Sequence, residues 1–372
     1  MYLPILVVYM VDQGLSVEQI ALIVTVGWTV SLLFEVPSGA IADTVGHRNA
    51  LVIAMVGQAL SSFFFLGGTF AWILIATIGY FVSGSLLTGT GEALFFEYLK
   101  SNGKEEEHLR LSGEGKSFSR IFNMIAVFVG GASYVWHPFL PFILCAIQFF
   151  VAAFIISTFP APRATASVEK QEGFLTVTAH FPRALKTIWS YPFVFWLVLT
   201  HAFLVGIPFG TNDFQQIIFQ SLGATTVFIS LVYTTKRLLA MTLSNQVYRL
   251  KRLGAARVML LCALLVLFYG LATPLVSSYV AYALVVLLLS TMYVIMEVLF
   301  NDLVNHRIPS LSRATTLSVA NFARTIVSIL AAASFGWLTT SLPMSFAVVS
   351  VVGFLLCLYP INRLFTLEKR LT

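Results

Sequence analysis

Ten ionisable side chains of this sequence lie inside or at the edges of long apolar runs: Glu35, Glu92, Glu97, Arg120, His201, Lys236, Arg237, Glu297, Asp302 and Arg324. An ionised group at membrane depth is costly, so it turns toward the interior of a helical bundle and takes a partner. Three kinds of chemistry suit such a set. Opposite charges can lock and release, a carboxylate or imidazole can carry a proton, and a fixed cation can attract an anion. Part of the set repeats. Glu92-Ala-Leu-Phe-Phe-Glu97 returns as Glu297-Val-Leu-Phe-Asn-Asp302, and Ser117-Phe-Ser-Arg120 as Asn321-Phe-Ala-Arg324, at offsets of 205 (297 − 92) and 204 (324 − 120). The repeat predicts pairing within each half, Arg120 with Glu92 or Glu97 and Arg324 with Glu297 or Asp302. Such pairs act as structural ties, as a gate, or as both, and Glu92 or Glu297 is also a candidate proton carrier.

Lys236 and Arg237 sit near the middle of one apolar run and His201 midway along another. Neighbours on a helix point about 100° apart, so one of the two cations faces the bundle interior and the other a neighbouring helix. An anionic or polar substrate is one reading of them, and pairing with an acidic side chain the other. His201 either binds substrate, carries a proton or hydrogen-bonds a neighbour. Tyr9, Tyr80, Asn123, Tyr293 and Asn321 are further path-lining candidates.

The elements that hold these residues are membrane helices. Hydrophobic residues make up 58% of the 372, charged residues only 10%, and the mean hydropathy is +0.88; soluble domains carry about 25% charge. Apolar runs long enough to span, about 20 residues each, begin at Ile20, Ala50, Trp72, Ser117, Phe139, Tyr191, Thr225, Ala256, Ser278, Ser312 and Ser345. A further run, Tyr2 to Val11, would rise only about 15 Å. The expected fold is therefore an all-α membrane protein of twelve transmembrane helices in two pseudo-symmetric six-helix bundles, the first helix truncated. A missing N-terminal stretch of roughly 10–20 residues is the expected cause. Cys145, Cys262 and Cys357 read as small buried apolar residues, with no disulfide framework or metal site.

Charge orients the bundle. Setting aside Arg120, Lys236, Arg237 and Arg324, the other 18 of the 22 Lys and Arg fall after even-numbered spans or in the C-terminal tail. The positive-inside rule then places both termini in the cytoplasm, for which the cell membrane is the expected location. The longest connector divides the chain into residues 1–160, a loop over 161–190 and residues 191–372. Its Phe174, Phe181, Leu185, Ile188 and Trp189 among basic residues suit either an amphipathic segment on the inner leaflet or a simple tether.

Between the second and third spans, Glu35 to Arg48 reads Glu-Val-Pro-Ser-Gly-Ala-Ile-Ala-Asp-Thr-Val-Gly-His-Arg. This resembles the signature of the major facilitator superfamily: Gly39, three residues, Asp43, then Gly46 followed by basic residues His47 and Arg48. Gly14 to Ile20 is similar to that superfamily's first outer loop. The resemblance implies secondary transport by alternating access, a gating role for Asp43, and a cavity lined by the first, fourth, seventh and tenth helices. Elementary chemistry adds that Gly39 and Gly46 allow a tight turn and close helix approach. Asp43 would be stabilised by a helix N-terminus or an arginine. The chain departs from the pattern at Thr44 and at His47, which replaces Arg or Lys and so is either a pH-sensitive latch or a plain loop histidine.

No Gly-x-x-x-x-Gly-Lys-Ser/Thr loop occurs, which excludes direct ATP coupling within this chain, and no catalytic or cofactor-binding constellation is visible. The expected function is proton-coupled efflux of a small organic compound by a monomer embedded in the lipid bilayer, with no nucleic acid partner. The fourth span lacks the arginine, and the fifth the Gly-Pro motif, common in proton-coupled drug antiporters of the superfamily. Uptake of a sugar, metabolite or organic anion is the alternative, and a non-transporting sensor, suggested by the short first helix, is the alternative of another class. If Asp43 gates, Asp43→Asn slows conformational cycling more than it weakens ligand affinity; equal counterflow rates for variant and wild type would refute the assignment.

Overall fold

A computed structural model describes residues 5–159, 189–308, 310–338 and 341–369. The connector reading at 160–188 lies outside the described residues. Among those described, the chain forms fourteen α-helices and short 3-10 turns. In chain order they are α1 (Leu6–Asp12), α2 (Val17–Val45), α3 (His47–Phe64), α4 (Phe70–Leu87), α5 (Thr90–Ser101), α6 (His108–Trp136), α7 (Leu140–Thr158), α8 (Pro192–Thr211), α9 (Gln215–Ser221), α10 (Thr226–Ser244), α11 (Ala255–Ala272), α12 (Tyr279–Arg307), α13 (Ser310–Trp337) and α14 (Leu342–Glu368). Ten helical segments of the described residues are long and apolar enough to cross a membrane. The 19-residue α10, whose apolar run is interrupted by Lys236 and Arg237, falls outside that count. Helices dominate because lipid supplies no hydrogen-bonding partner, so each span must satisfy its own backbone.

Contacts divide the chain into two compact units, residues 1–15 with 26–177 and residues 16–25 with 178–372. In the first unit α3 packs against α4 and α7. Gln58 on α3 donates from Nε2 to the Tyr80 carbonyl at 2.7 Å, and Tyr9 donates its hydroxyl to the Phe65 carbonyl at 2.6 Å. In the second unit α8 packs against α13 and α14, α11 against α14 and α10 against α12. Small residues let these helices approach closely. A Cβ on Gly206 would stand 2.8 Å from the Arg324 carbonyl oxygen, and one on Gly210 would run into the Ser328 backbone. Across the same seam Ser328 donates to the Gly206 carbonyl at 2.9 Å.

Local structure repeats as the sequence does. The seven-residue α1 and α9 end alike, with Leu15 N bonded to Met10 O and Ala224 N to Phe219 O. Gly14 and Gly223 follow at φ 82° and 83°. These are helix endings in which a left-handed glycine closes off the last carbonyls. The next helices start with a side-chain cap in both cases, Ser16 with Gln19 for α2 and Thr225 for α10. Gly46 (φ 87°) and Gly254 (φ 83°) then precede α3 and α11. α1 is thus the counterpart of α9 in length and ending.

Two expectations change. The signature from Glu35 to Asp43 is not a loop: α2 continues through it to Val45 and only Gly46 breaks the helix. Gly39 is accordingly helical, and a Cβ there would meet nothing within 4 Å, so its expected tight turn belongs to Gly46 alone. The segment between the spans that begin at Tyr191 and Thr225, expected as a connector, is largely helix α9. Since the α8–α13 seam has no room for a methyl group, Gly210→Ala should destabilise the protein by about 1–3 kcal/mol, read as a lowered unfolding temperature in detergent. A fully tolerated substitution would mean that the seam can separate.

Candidate functional site

The second unit gathers its buried charge where α8, α12 and α13 meet. Gly206 and Ser328 bring the first and last of these together, and the helical spacing then aims Arg324 back toward His201 and Glu297. Glu297 Oε1 lies 3.6 Å from Arg324 Nη1 and 3.7 Å from His201 Nε2. Arg324 is 16% exposed, Glu297 31% and His201 4%. The guanidinium also reaches Tyr293 Oη at 3.4 Å and Asn321 Oδ1 at 2.5 Å, and it lies 4.8 Å from the ring centre of Phe209. His201 stacks on Phe300 at 4.0 Å between ring centres. Among the described residues, both its ring nitrogens and Arg324 Nε are buried without a hydrogen-bond partner. One carboxylate thus faces a permanent cation and an imidazole that is charged only when protonated, an arrangement able to register a proton.

A second polar cluster surrounds Lys236. Its Nζ donates to Asn212 Oδ1 at 2.8 Å and Gln215 Oε1 at 3.4 Å, and stands 4.6 Å from the Tyr233 ring centre. Tyr233 donates its hydroxyl to the Asn212 carbonyl at 3.0 Å. Gln215 Nε2 donates to Tyr269 Oη at 3.1 Å, and Tyr269 and Tyr282 share a 3.3 Å hydroxyl contact. Arg237 is exposed. The two neighbouring cations therefore do point apart, and Lys236 is the one that turns inward, onto amides and a phenol.

In the first unit the charges pair differently from expectation. His47 Nδ1 lies 2.8 Å from Glu97 Oε1 and its Nε2 3.6 Å from Asp43 Oδ1. The signature histidine therefore bridges two carboxylates and supplies the partner of Asp43 that an arginine or helix end was expected to provide. Arg48 donates to the Ser157 carbonyl at the end of α7. Glu92 pairs with Lys116 at 2.7 Å, and Arg120 is exposed and pairs with neither Glu92 nor Glu97 among the described residues. The expected Arg120 pairs fail because Lys116, one helical turn earlier, presents the nearer cation. Asp302 is joined by His306 at 3.5 Å, and Glu35 has no ion-pair partner among the described residues. Tyr9 serves the core.

The expected Arg324–Glu297 pair is present, and Tyr293 and Asn321, two of the path-lining candidates, contact Arg324. Asn212, Gln215, Tyr233, Tyr269 and Tyr282 were missed. The adjacent Gln215 and Gln216, polar residues flanked by Phe214 and Ile217, are the sequence signal that pointed to them.

The family model described as Major Facilitator Superfamily matches residues 1–332. The chain belongs to the Major Facilitator Superfamily. It is thus a multi-pass membrane protein of a transporter superfamily. Solved superfamily structures share the fold: nucleoside transporter NupG at TM-score 0.80 with 13% identity, covering 97% of this chain and 94% of that one. A D-xylose-proton symporter follows at TM-score 0.65 and 15% identity, with 96% and 91% covered. A bacterial homologue of the human lysosomal transporter Spinster, inward-facing and unoccupied, matches at TM-score 0.65 and 15% identity, with 99% and 92% covered. No curated protein matches the sequence. Removing one partner of a partly buried ion pair strands the other, so Arg324→Met should destabilise this superfamily member by about 1–3 kcal/mol. Adding Glu297→Gln should restore part of the loss. Thermal unfolding of the two single variants and the double variant checks the coupling, and strictly additive effects would contradict the pair.

Proposed function

We propose that this protein is a proton-coupled secondary transporter of a small polar organic solute, working by alternating access of two halves, residues 1–160 and 191–372, with both termini cytoplasmic in the cell membrane. The observation that carries the proposal is Glu297 held between Arg324 and His201 inside the second unit. A coupling group must be charged in one state and neutral in another. Protonating Glu297 leaves Arg324 without its counter-ion, so the cluster favours a different arrangement in each protonation state. His201, buried against Phe300, is placed to exchange the proton with Glu297. The Asp43–His47–Glu97 contact and the Arg48 contact serve as the gate of the first unit, with Glu35, Glu92 and Arg120 at the inner ends of its spans and Asp302 at that of a span in the second.

The fold neighbours include a nucleoside transporter and a D-xylose-proton symporter, and the amides and phenols of the second unit suit a neutral hydrogen-bonding solute. We therefore favour symport over export of amphiphilic compounds. Proteoliposomes with an imposed pH gradient provide the test, using labelled uridine, D-xylose and lactate as solutes and ethidium as an export probe. The expected result is accumulation of one of the first three only under the gradient, with Glu297→Gln retaining exchange but losing the gradient response. Solute movement that ignores the gradient in wild type would overturn proton coupling. Ethidium movement alone would establish export.

A further inference from the structure

Helix α5 is a separate piece of its span. α4 stops at Leu87, Thr88 is extended at ψ 120°, and Gly89 turns the chain at φ 78° before α5 begins at Thr90. A Cβ on Gly89 would meet nothing within 4 Å, so glycine serves the backbone angle there and not the packing. Beyond this break α5 is thinly held. Only Thr90 and Leu99 of its twelve residues are buried. Among the described residues two ion pairs tie it to its neighbours: Glu92 with Lys116, both more than half exposed, and Glu97 with His47.

The second tie depends on a proton. A carboxylate faces each ring nitrogen of His47, Glu97 at 2.8 Å from Nδ1 and Asp43 at 3.6 Å from Nε2. Only the imidazolium has two N–H groups; the neutral ring keeps one and turns a lone pair on the other carboxylate. Once the cation is gone, Asp43 and Glu97 also repel each other. The surroundings supply no substitute. α4 and α7, the other helices packed on α3, contain no Asp, Glu, Lys, Arg or His. Arg48 is turned to the Ser157 carbonyl, Glu92 holds Lys116, and Lys100 on α5 is exposed. Glu35 lies two turns before Asp43 on α2. A further imidazole, His108, packs on Phe95 and Phe96 from the start of α6.

We propose that α5 is a flap hinged at Gly89 and latched by the His47 imidazolium, so that acid on the side of the basic connectors holds the flap and alkali loosens it. This rests on the reading of the Asp43–His47–Glu97 contact as the gate of the first unit and makes that gate responsive to pH. It is independent of Glu297, which belongs to the other unit.

The test is amide hydrogen exchange of purified full-length protein without solute, expressed as protection relative to the unstructured rate at each pH. No gradient or transport is involved, so the outcome is separate from that of the proton-coupling experiment. Between about pH 5.5 and pH 8, the range in which an imidazole loses its charge, protection of residues 90–101 should fall by about tenfold, the effect of losing one charge-assisted contact. Residues 50–64 of α3 should not change. His47→Lys, a permanent cation, should keep α5 protected at both pH values, and His47→Gln should leave it weakly protected at both. His108→Gln should respond as wild type does. If His47→Gln is not recovered, wild type and His47→Lys decide. Constant protection in wild type, an equal fall in α3, a pH response that survives in His47→Lys, or one abolished by His108→Gln would each overturn the proposal.

Discussion

Charge has no solvent in hydrocarbon, and most of what is particular about this molecule follows from that. A carboxylate or guanidinium that cannot reach water must be met by an opposite charge, an amide or an aromatic face. Glu297 shows the constraint at its strongest: it is flanked by Arg324 and His201, and Arg324 in turn takes up Tyr293, Asn321 and the Phe209 face. The close α8–α13 approach at Gly206, Gly210 and Ser328 makes this geometry possible. Without it the arginine would sit too far from α8 to share a carboxylate with His201.

The same constraint acts differently in the first unit. Glu92 and Lys116 are both more than half exposed, so their pair contributes little to stability. The Asp43–His47–Glu97 contact is more sheltered at the histidine, which is 20% exposed. The two units thus share a charge pattern in sequence without sharing its partners: Glu297 meets Arg324, whereas its counterpart Glu92 meets Lys116 and not Arg120.

Much of the architecture was legible in the residues. Apolar run lengths located the long spans, and glycines at equivalent points, Gly14 with Gly223 and Gly46 with Gly254, keep the same left-handed φ in both repeats. The Arg324–Glu297 pair was readable because each residue type is rare at membrane depth. The Lys236 cluster was harder to see. Its partners lie in a stretch whose Asn, Asp and Gln residues imitate an outer loop, and polar composition alone does not separate a loop from a short helix such as α9.

Residue types and their order were enough to establish helical spans, the basic asymmetry between the two sides and the family signature, because transfer of each side chain from water to lipid is a local property. Choice of partner was not local. Whether Glu92 meets Arg120 or Lys116, whether His47 stands free or between two carboxylates, and which of Lys236 and Arg237 turns inward depend on helix rotation and approach. Those are set by packing of side chains far apart in the chain, such as Gly210 against Ser328, and emerge only once the helices are assembled.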